Sequence, residues 1–463
     1  MREVLTATAV ELLQGYRTRS LSPVEVVGAC LRQIEEVNGD IGAVFAVDAE
    51  RCMAAARASE GRWRAGEPAG ELDGVPVTVK DGMQTVGMPS YNGSAPNAGS
   101  PPATVDCPPS ARLKEAGAVI LGKTVMPDFG LIASGVSSMH GIARNPWNLA
   151  FSPGGSSAGA GAALAAGIGA LAAGSDIAGS VRLPAGQCGL VGLKPTQGRV
   201  PHLPSSTMRT VGPMARCVED VALLLDVLAK PDARDRLSLP AAAQTFQDGS
   251  VALSKSRMGC LVDMGGGVPV AAPVRSVLDA AVETLTDAGA DVDVIAPPLC
   301  GDPYEAVDRI FQVRGYAHLQ AFDAGVRSLV LPEVAQWCAR AASYSALDYA
   351  GYLSEVESVQ AQLSDALADY DYVLTPVMPV VGFPAEQVGL SRSRPLQHCT
   401  FTWPFNQTGQ PAVSLCFGMS EEHLPIGVQI VGRRFDDRGV LALARILQER
   451  RRFTLQWPLT PIR

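Results

Sequence analysis

Histidine is scarce in this sequence. Five occur in 463 residues, none at metal-ligand spacing, so no zinc motif is present. The ten cysteines are scattered and form no CxxC pair, which points to reduced thiols rather than a disulfide framework. No long basic block offsets the net charge of -8. Nothing here attracts nucleic acid or an anionic membrane surface, and small molecules are the expected partners. The one basic cluster, Arg450 to Arg452, falls where a last helix would end, and cations there suit the helix dipole. The longest run free of strongly polar residues, Ala158 to Gly174, is mostly alanine and glycine and falls short of the roughly 20 residues that span a bilayer. The N-terminal stretch "MREVLTATAVELLQGYR" mixes acids and bases and lacks the basic start and apolar run of a secretory signal, so a cytoplasmic location is expected. Repeats and low-complexity tails are absent too. What remains is a chain long enough to bury a large core, as several domains or as one large α/β unit.

Local signals give the organisation. "SPVEVVGACLRQIEEVN" carries Ser22 as N-cap, Pro23 at the first helical position and Glu25 to complete a capping box. A short apolar run over 41–47 reads as a strand, and "DAERCMAAARASEGRWRAG" as a helix ending in glycine. "GVPVTVKDG" is β-branched and bounded by glycines, which places Lys80 at the end of a buried strand. A helix over 110–116, a strand over 119–121, a helix over 156–166 and a strand over 168–173 follow. Alternating strands and helices predict an α/β sheet protein. Residues 230–250 are turn-rich and read as a connection. From there to about 370 the pattern is mainly helical, with one strand over 258–262. "YDYVLTPVMP" and "LPIGVQIVG" read as further buried strands.

The most unusual stretch is "SPGGSSAGAGAALAAG", Ser152 to Gly167. It admits three readings: a phosphate cradle, a nucleophilic serine, or close packing of a loop and helix. The phosphate reading needs GxxxxGK[ST], or GxGxxG opening a helix after a strand, and neither is present. Gly155-Ser156-Ser157-Ala158-Gly159 matches GxSxG with Ser157 as nucleophile. A nucleophile elbow, however, must follow a strand directly, whereas Pro153 and a polar loop come first. It also needs a histidine base, and His202, His318, His398 and His423 sit in no recognisable setting. Small residues that let a helix pack tightly remain a complete explanation of this stretch taken alone.

Two further segments alter that balance. "LDGVPVTVKDG" supplies a buried lysine, and "AAGSDIAGSVRLPAGQCGLVGLKPT" places Ser180 after a turn of small residues, twenty-four positions beyond Ser156. With "SPGGSSAGA", "ARNPWN", "GPMARCVEDVALLLDVL" and "PDARD", the chain resembles the amidase signature family of serine hydrolases. The resemblance is close over Leu72 to Asp235 and returns at "YDYVLTPVMP" and "LPIGVQIVGRRFDD".

The resemblance implies a large mixed, twisted β-sheet core with α-helices on both faces, in a single domain over 1–463. Residues 70–235 would carry the catalytic groups, 240–370 a variable and mainly helical substrate-pocket region, and 370–455 the returning core strands and C-terminal helix. It also implies roles: Ser180 as nucleophile, Ser156 as bridging serine behind a cis Gly155–Ser156 peptide, and Lys80 as base. The backbone N–H groups of Ile177, Ala178, Gly179 and Ser180 would form the oxyanion hole, with Asp176, Arg182 and Ser157 in support. Ala158 and Ala178 stand where the family usually has glycine. Alanine resists positive φ, so the turn is expected not to need it at 178. Met126, Phe129, Ile132, Gly135 and Phe405 are candidates for an apolar acyl pocket, beside Tyr91, His140 and Trp403.

The implied activity is hydrolysis of a linear amide, including aryl amides, anilides, carbamates or esters, with no cofactor and no metal. A neutral, partly aromatic amide or carbamate is the expected substrate, and a homodimer is compatible with the family. Two alternatives stand beside this one. The chain could be the amidase subunit of a tRNA-dependent amidotransferase, or a non-catalytic binding protein on the same fold.

Overall fold

The first long helix begins where the sequence places it. In the computed structural model, which describes residues 2–463, helix α1 (Pro23–Ile41) starts at Ser22, whose hydroxyl accepts the Val24 N–H at 3.0 Å while Glu25 accepts the Ser22 N–H. Helix α2 (Ala49–Ala65) ends at Gly66 in the left-handed conformation. The strand expected over 41–47 shrinks to β1 (Val44–Phe45), because Ile41 is the last residue of α1 and Ala46 takes φ +52°, which ends the extended run.

Ten more strands complete the main sheet. They are β2 (Pro76–Lys80), β3 (Val119–Thr124), β4 (Leu171–Asp176), β5 (Val191–Lys194), β6 (Thr210–Ala215), β7 (Arg257–Cys260), β8 (Asp291–Val294), β9 (Tyr372–Pro376), β10 (Ala412–Met419) and β11 (Pro425–Gly432). Their order across the sheet is β1-β3-β2-β4-β6-β5-β10-β11-β9-β7-β8. β3, β2 and β4 run parallel, as do β9, β7 and β8, while the strands between them pair antiparallel. The sheet is therefore mixed, and strands from both ends of the chain belong to it.

Several expected boundaries move. Helix α3 (Ala158–Ala165) begins two residues after Ser156, which stays in the loop, and the following strand starts at Leu171 because Gly167 and Gly169 turn the chain at φ +78°. β5, β6 and β10 carry no clear alternation, being buried on both faces, and were not expected as strands. The region up to 370 holds two strands instead of one. Edge strand β8 reads "DVDV", too polar to announce itself, and is largely exposed.

Four further helices, α4 (Arg182–Cys188), α5 (Tyr304–Gln320), α6 (Ala346–Leu367) and α7 (Asp437–Arg450), flank the sheet, and their packing follows the two-residue period of the strands. Val413, Leu415, Val428 and Ile430 face one way and bury Leu441 and Leu443 of α7. Their neighbours Ala412 and Val431 face the other way, toward Leu183 of α4 and Val377, on the side where α5 and α6 also lie. Among the described residues no disulfide forms, all ten cysteines are free, and no helix is long and apolar enough to cross a membrane.

Candidate active site

Lys80 is the last residue of β2, a strand hydrogen-bonded on both sides and buried along its whole length. Its side chain is 1% exposed, yet no carboxylate pairs with it. The Nζ atom lies 2.8 Å from Ser156 Oγ, 3.1 Å from Ser175 Oγ and 3.3 Å from the Ser175 carbonyl. Burial pushes its pKa from 10.5 down to about 7. Arg209 adds to the depression, whereas Asp176 and Asp81 oppose it. At neutral pH a large share of this amine is uncharged and can take a proton.

A lowered pKa does not by itself single out Lys80. Burial also brings Lys194 to about 7 and Lys123 to about 8. Lys194 meets only the Pro195 carbonyl and Lys123 only the Met83 carbonyl, and a carbonyl has no proton to give. Lys80 alone of the three contacts serine hydroxyls in a cavity.

Ser156 reaches Lys80 because of the glycines around it. The Gly155–Ser156 peptide is cis, and a Cβ at Gly155 would collide with the Ser134 backbone. The loop can press against residue 134 only with glycine there. Ser180 opens into the same cavity, and its backbone is tied to the loop by the Ser157 N–H, which donates to the Ser180 carbonyl at 3.2 Å. The Ser180 hydroxyl has no hydrogen-bond partner among the described residues, Ser156 included. Contacts between a nucleophile and its proton acceptor commonly tighten only when substrate binds.

The turn from Asp176 to Arg182 is fixed by one buried ion pair. Arg182 Nε and Nη2 donate to the two Asp176 oxygens at 3.0 and 2.9 Å, with both side chains fully buried. Further donors and acceptors close the network: Arg182 to the Thr402 carbonyl at 2.9 Å and to Gln429 at 2.7 Å, and Asn406 to Asp176 at 2.9 Å. Burial alone would raise the Asp176 carboxyl. The Arg182 guanidinium and the surrounding donors instead hold it well below the usual carboxylate range.

Asp176 also accepts the N–H groups of Gly179 at 2.8 Å and Val181 at 3.1 Å. Of the four expected oxyanion donors, Gly179 is thus already engaged. Those of Ile177, Ala178 and Ser180 have no acceptor among the described residues, and of the three Ile177 and Ser180 line the cavity. Gly179 is the residue that needs positive φ, at +120°, and a Cβ there would strike Thr402. Ala178 is not among the positive-φ residues, so the alanine is unstrained.

Other expected residues fall elsewhere. Ser157 is fully buried with its hydroxyl 3.4 Å from the Ser175 backbone and does not line the cavity, which leaves the elbow reading without an accessible nucleophile. Met126 and Phe129 do line the cavity, but Ile132, Gly135 and Phe405 do not. Ile132 and Phe405 are packed into the apolar core of the second face, and Gly135 lies against the Ala143 carbonyl, because the chain turns away after the 128–130 turn. Tyr91 stacks on Phe45 instead, next to His140, and Trp403 is core.

Among the cavity residues not expected are Ser175, His202 and Arg209. Ser175 could have been found, since it stands at the end of the strand beside that of Lys80. His202 and Arg209 lie on an irregular loop whose path no local signal fixes.

Fold and site together define an α/β protein whose cleft brings a partly uncharged amine against serine hydroxyls. The chain belongs to the amidase signature family of enzymes that hydrolyse carbon–nitrogen bonds: the amidase family profile matches residues 25–441. Among similar sequences are the acylamidase of Rhodococcus erythropolis, 32% identical over 456 residues and covering 94% of each chain, and a glutamyl-tRNA(Gln) amidotransferase subunit of Geobacter metallireducens, 33% identical over 498 residues and covering 96% of this chain and 98% of the relative. Among solved structures, a bacterial aryl acylamidase superposes with a TM-score of 0.90 at 26% identity, covering 96% of each chain. A 6-aminohexanoate cyclic dimer hydrolase complexed with substrate superposes with a TM-score of 0.88 at 28% identity, covering 97% of this chain and 98% of that one.

Proposed function

We propose that this chain is a free-standing amidase that cleaves a linear amide, aryl amide, anilide, carbamate or ester through an acyl-enzyme on Ser180. The observation that carries the reading is the 2.8 Å contact between the buried Lys80 amine and Ser156, in the cavity that also holds Ser180. In the first half-reaction Ser180 Oγ bonds to the carbonyl carbon. Its proton passes to Ser156 Oγ while the Ser156 proton passes to Lys80 Nζ. The N–H groups of Ile177, Ala178 and Ser180 take the charge that develops on the carbonyl oxygen. The carbon–nitrogen bond then breaks, and the departing amine takes its proton from Ser156, which regains one from Lys80. Water repeats the sequence on the acyl-serine and releases the acid.

A second reading is favoured by the Geobacter relative, whose similarity runs the whole length of the chain: the amidase subunit of a tRNA-dependent amidotransferase. The acylamidase and aryl acylamidase, matched over a similar span, support the free-standing enzyme. Assay of the purified chain alone on acetanilide-type substrates separates the two. Turnover without partner subunits is expected, and its absence, with activity restored only by partners, would favour the amidotransferase. Stoichiometric labelling of Ser180 by a fluorophosphonate is also expected. Folded protein that takes no label would indicate a binding protein on this fold.

A further inference from the structure

The catalytic cavity holds a cation that the proposed chemistry does not use. Its basic lining residues are Lys80, His202 and Arg209; burial pushes Lys80 down to about 7 and His202 to about 4, which leaves Arg209 as the standing cation, and no aspartate or glutamate lines the cavity. Composition does not explain this, because the chain as a whole carries a net charge of -8.

Arg209, which is half-buried, differs from the buried arginines. Arg182 is paired with Asp176, and Arg216 is spent on three backbone carbonyls. The Arg209 guanidinium donates once, to the Pro204 carbonyl at 2.9 Å, and forms no ion pair among the described residues. The carboxylate whose charge acts on it, Asp235, is already engaged by the Ser205 hydroxyl at 2.6 Å and by the N–H groups of His202 at 2.9 Å and Leu237 at 3.0 Å. A guanidinium with free donors in a cleft matches a carboxylate better than any neutral group.

His202 strengthens the case. It is 4% exposed, it lines the same cavity, and neither ring nitrogen has a hydrogen-bond partner, the Asp235 carboxylate standing 3.8 Å from Nδ1, beyond hydrogen-bond length. A buried imidazole without partners is costly unless a ligand supplies one. Helix α5 brings a second arginine, Arg314, close enough for its charge to act on Arg209, and it forms no ion pair among the described residues. One turn on, His318 stacks on the cavity residue Phe129 with ring centres 5.0 Å apart.

We propose that Arg209 and His202 form a subsite for a carboxylate, with Arg314 adding positive field beside Arg209, so that the preferred substrates are amides carrying an anionic group near the scissile bond. This departs from the neutral substrate expected from sequence alone, and it deepens and rests on the hydrolase reading above.

The test uses two acids, succinanilate with its carboxylate on the acyl side and para-acetamidobenzoate with it on the amine side, each against the neutral analogue in which acetyl replaces the carboxylate. Binding to full-length Ser180→Ala is followed by calorimetry, and hydrolysis by the wild type through the released amine. At least one acid is expected to be favoured over its analogue by about tenfold or more, as for a charge-assisted contact. That ratio should fall toward one in Arg209→Gln and recover in part in Arg209→Lys, which also controls for folding. Equal or weaker binding of both acids, or an acid preference that survives Arg209→Gln, would overturn the subsite. Arg209-dependent binding without hydrolysis of any probe would uphold the subsite and remove the hydrolase reading. Hydrolysis that favours the neutral analogues would do the reverse.

Discussion

Residues 72–235 and residues 240–370 contribute strands to one sheet on very different physical terms. In the first stretch β2, β5 and β6 are buried at every position, α3 is buried all round, and the ion pair of Asp176 with Arg182 has no exposed atom to spare. In the second, α6 buries only Val356, Val359, Leu363 and Leu367 along one stripe, and Val294 of edge strand β8 is 78% exposed. A one-sided helix can shift against its neighbour with small losses. A strand locked between two others cannot, since each added methyl meets a filled space. Groups that must meet within tenths of an ångström are held by the rigid stretch, while α5 from the other reaches the cavity only through His318, stacked on Phe129.

The comparison breaks if the rigid stretch tolerates change where its chemistry is placed. Lys80→Ala and Ser180→Ala are each expected to remove nearly all turnover, and Ser156→Ala most of it, on the scale of the roughly 10²- to 10⁴-fold that positioned proton transfer supplies. Steady-state rates on an anilide, with circular dichroism to confirm folding, decide this, and substantial activity in either of the first two variants would end the assignment. Arg182→Ala should cost about 3–5 kcal/mol of stability, because Asp176 is left as a buried unpaired charge. The midpoint of denaturant unfolding measures it, and a loss under about 1 kcal/mol would show that the turn does not depend on the pair.

Smaller effects sharpen the contrast. The base must be unprotonated to act, so kcat/KM should rise with pH through about 7 and level off on the alkaline side. A maximum in acid would contradict the role of Lys80. Arg209 depresses that amine from across the cavity, against Asp176 and Asp81, so Arg209→Gln should move the rising limb to higher pH. The smallest effect belongs to the freer stretch: Leu347→Ser on α6, at an 84% exposed side chain, should change stability by less than about 0.5 kcal/mol and leave turnover as it was.

Legibility in the sequence followed the same division. The caps of α1 and α2 were readable because Ser22, Glu25 and Gly66 act on backbone groups within four residues of themselves. β2 was readable from its valines between glycines. β5, β6 and β10 were not, since a strand buried on both faces has no alternation to show. Ile132 and Phe405 are apolar residues that suit a pocket and a core equally well, and their neighbours in space decided for the core.

The sequence by itself determined the α/β class, the buried strand that ends in Lys80 and, through its resemblance, the three residues to examine. Those follow from local patterning and from motifs that keep their order along the chain. Only the tertiary structure decided that Lys80 rather than Lys123 or Lys194 meets a serine, that Gly179 gives its N–H to Asp176, and that Arg209 enters the cavity without an acid beside it. Desolvation, charge pairing and access to solvent depend on which residues distant in sequence lie within a few ångströms of one another.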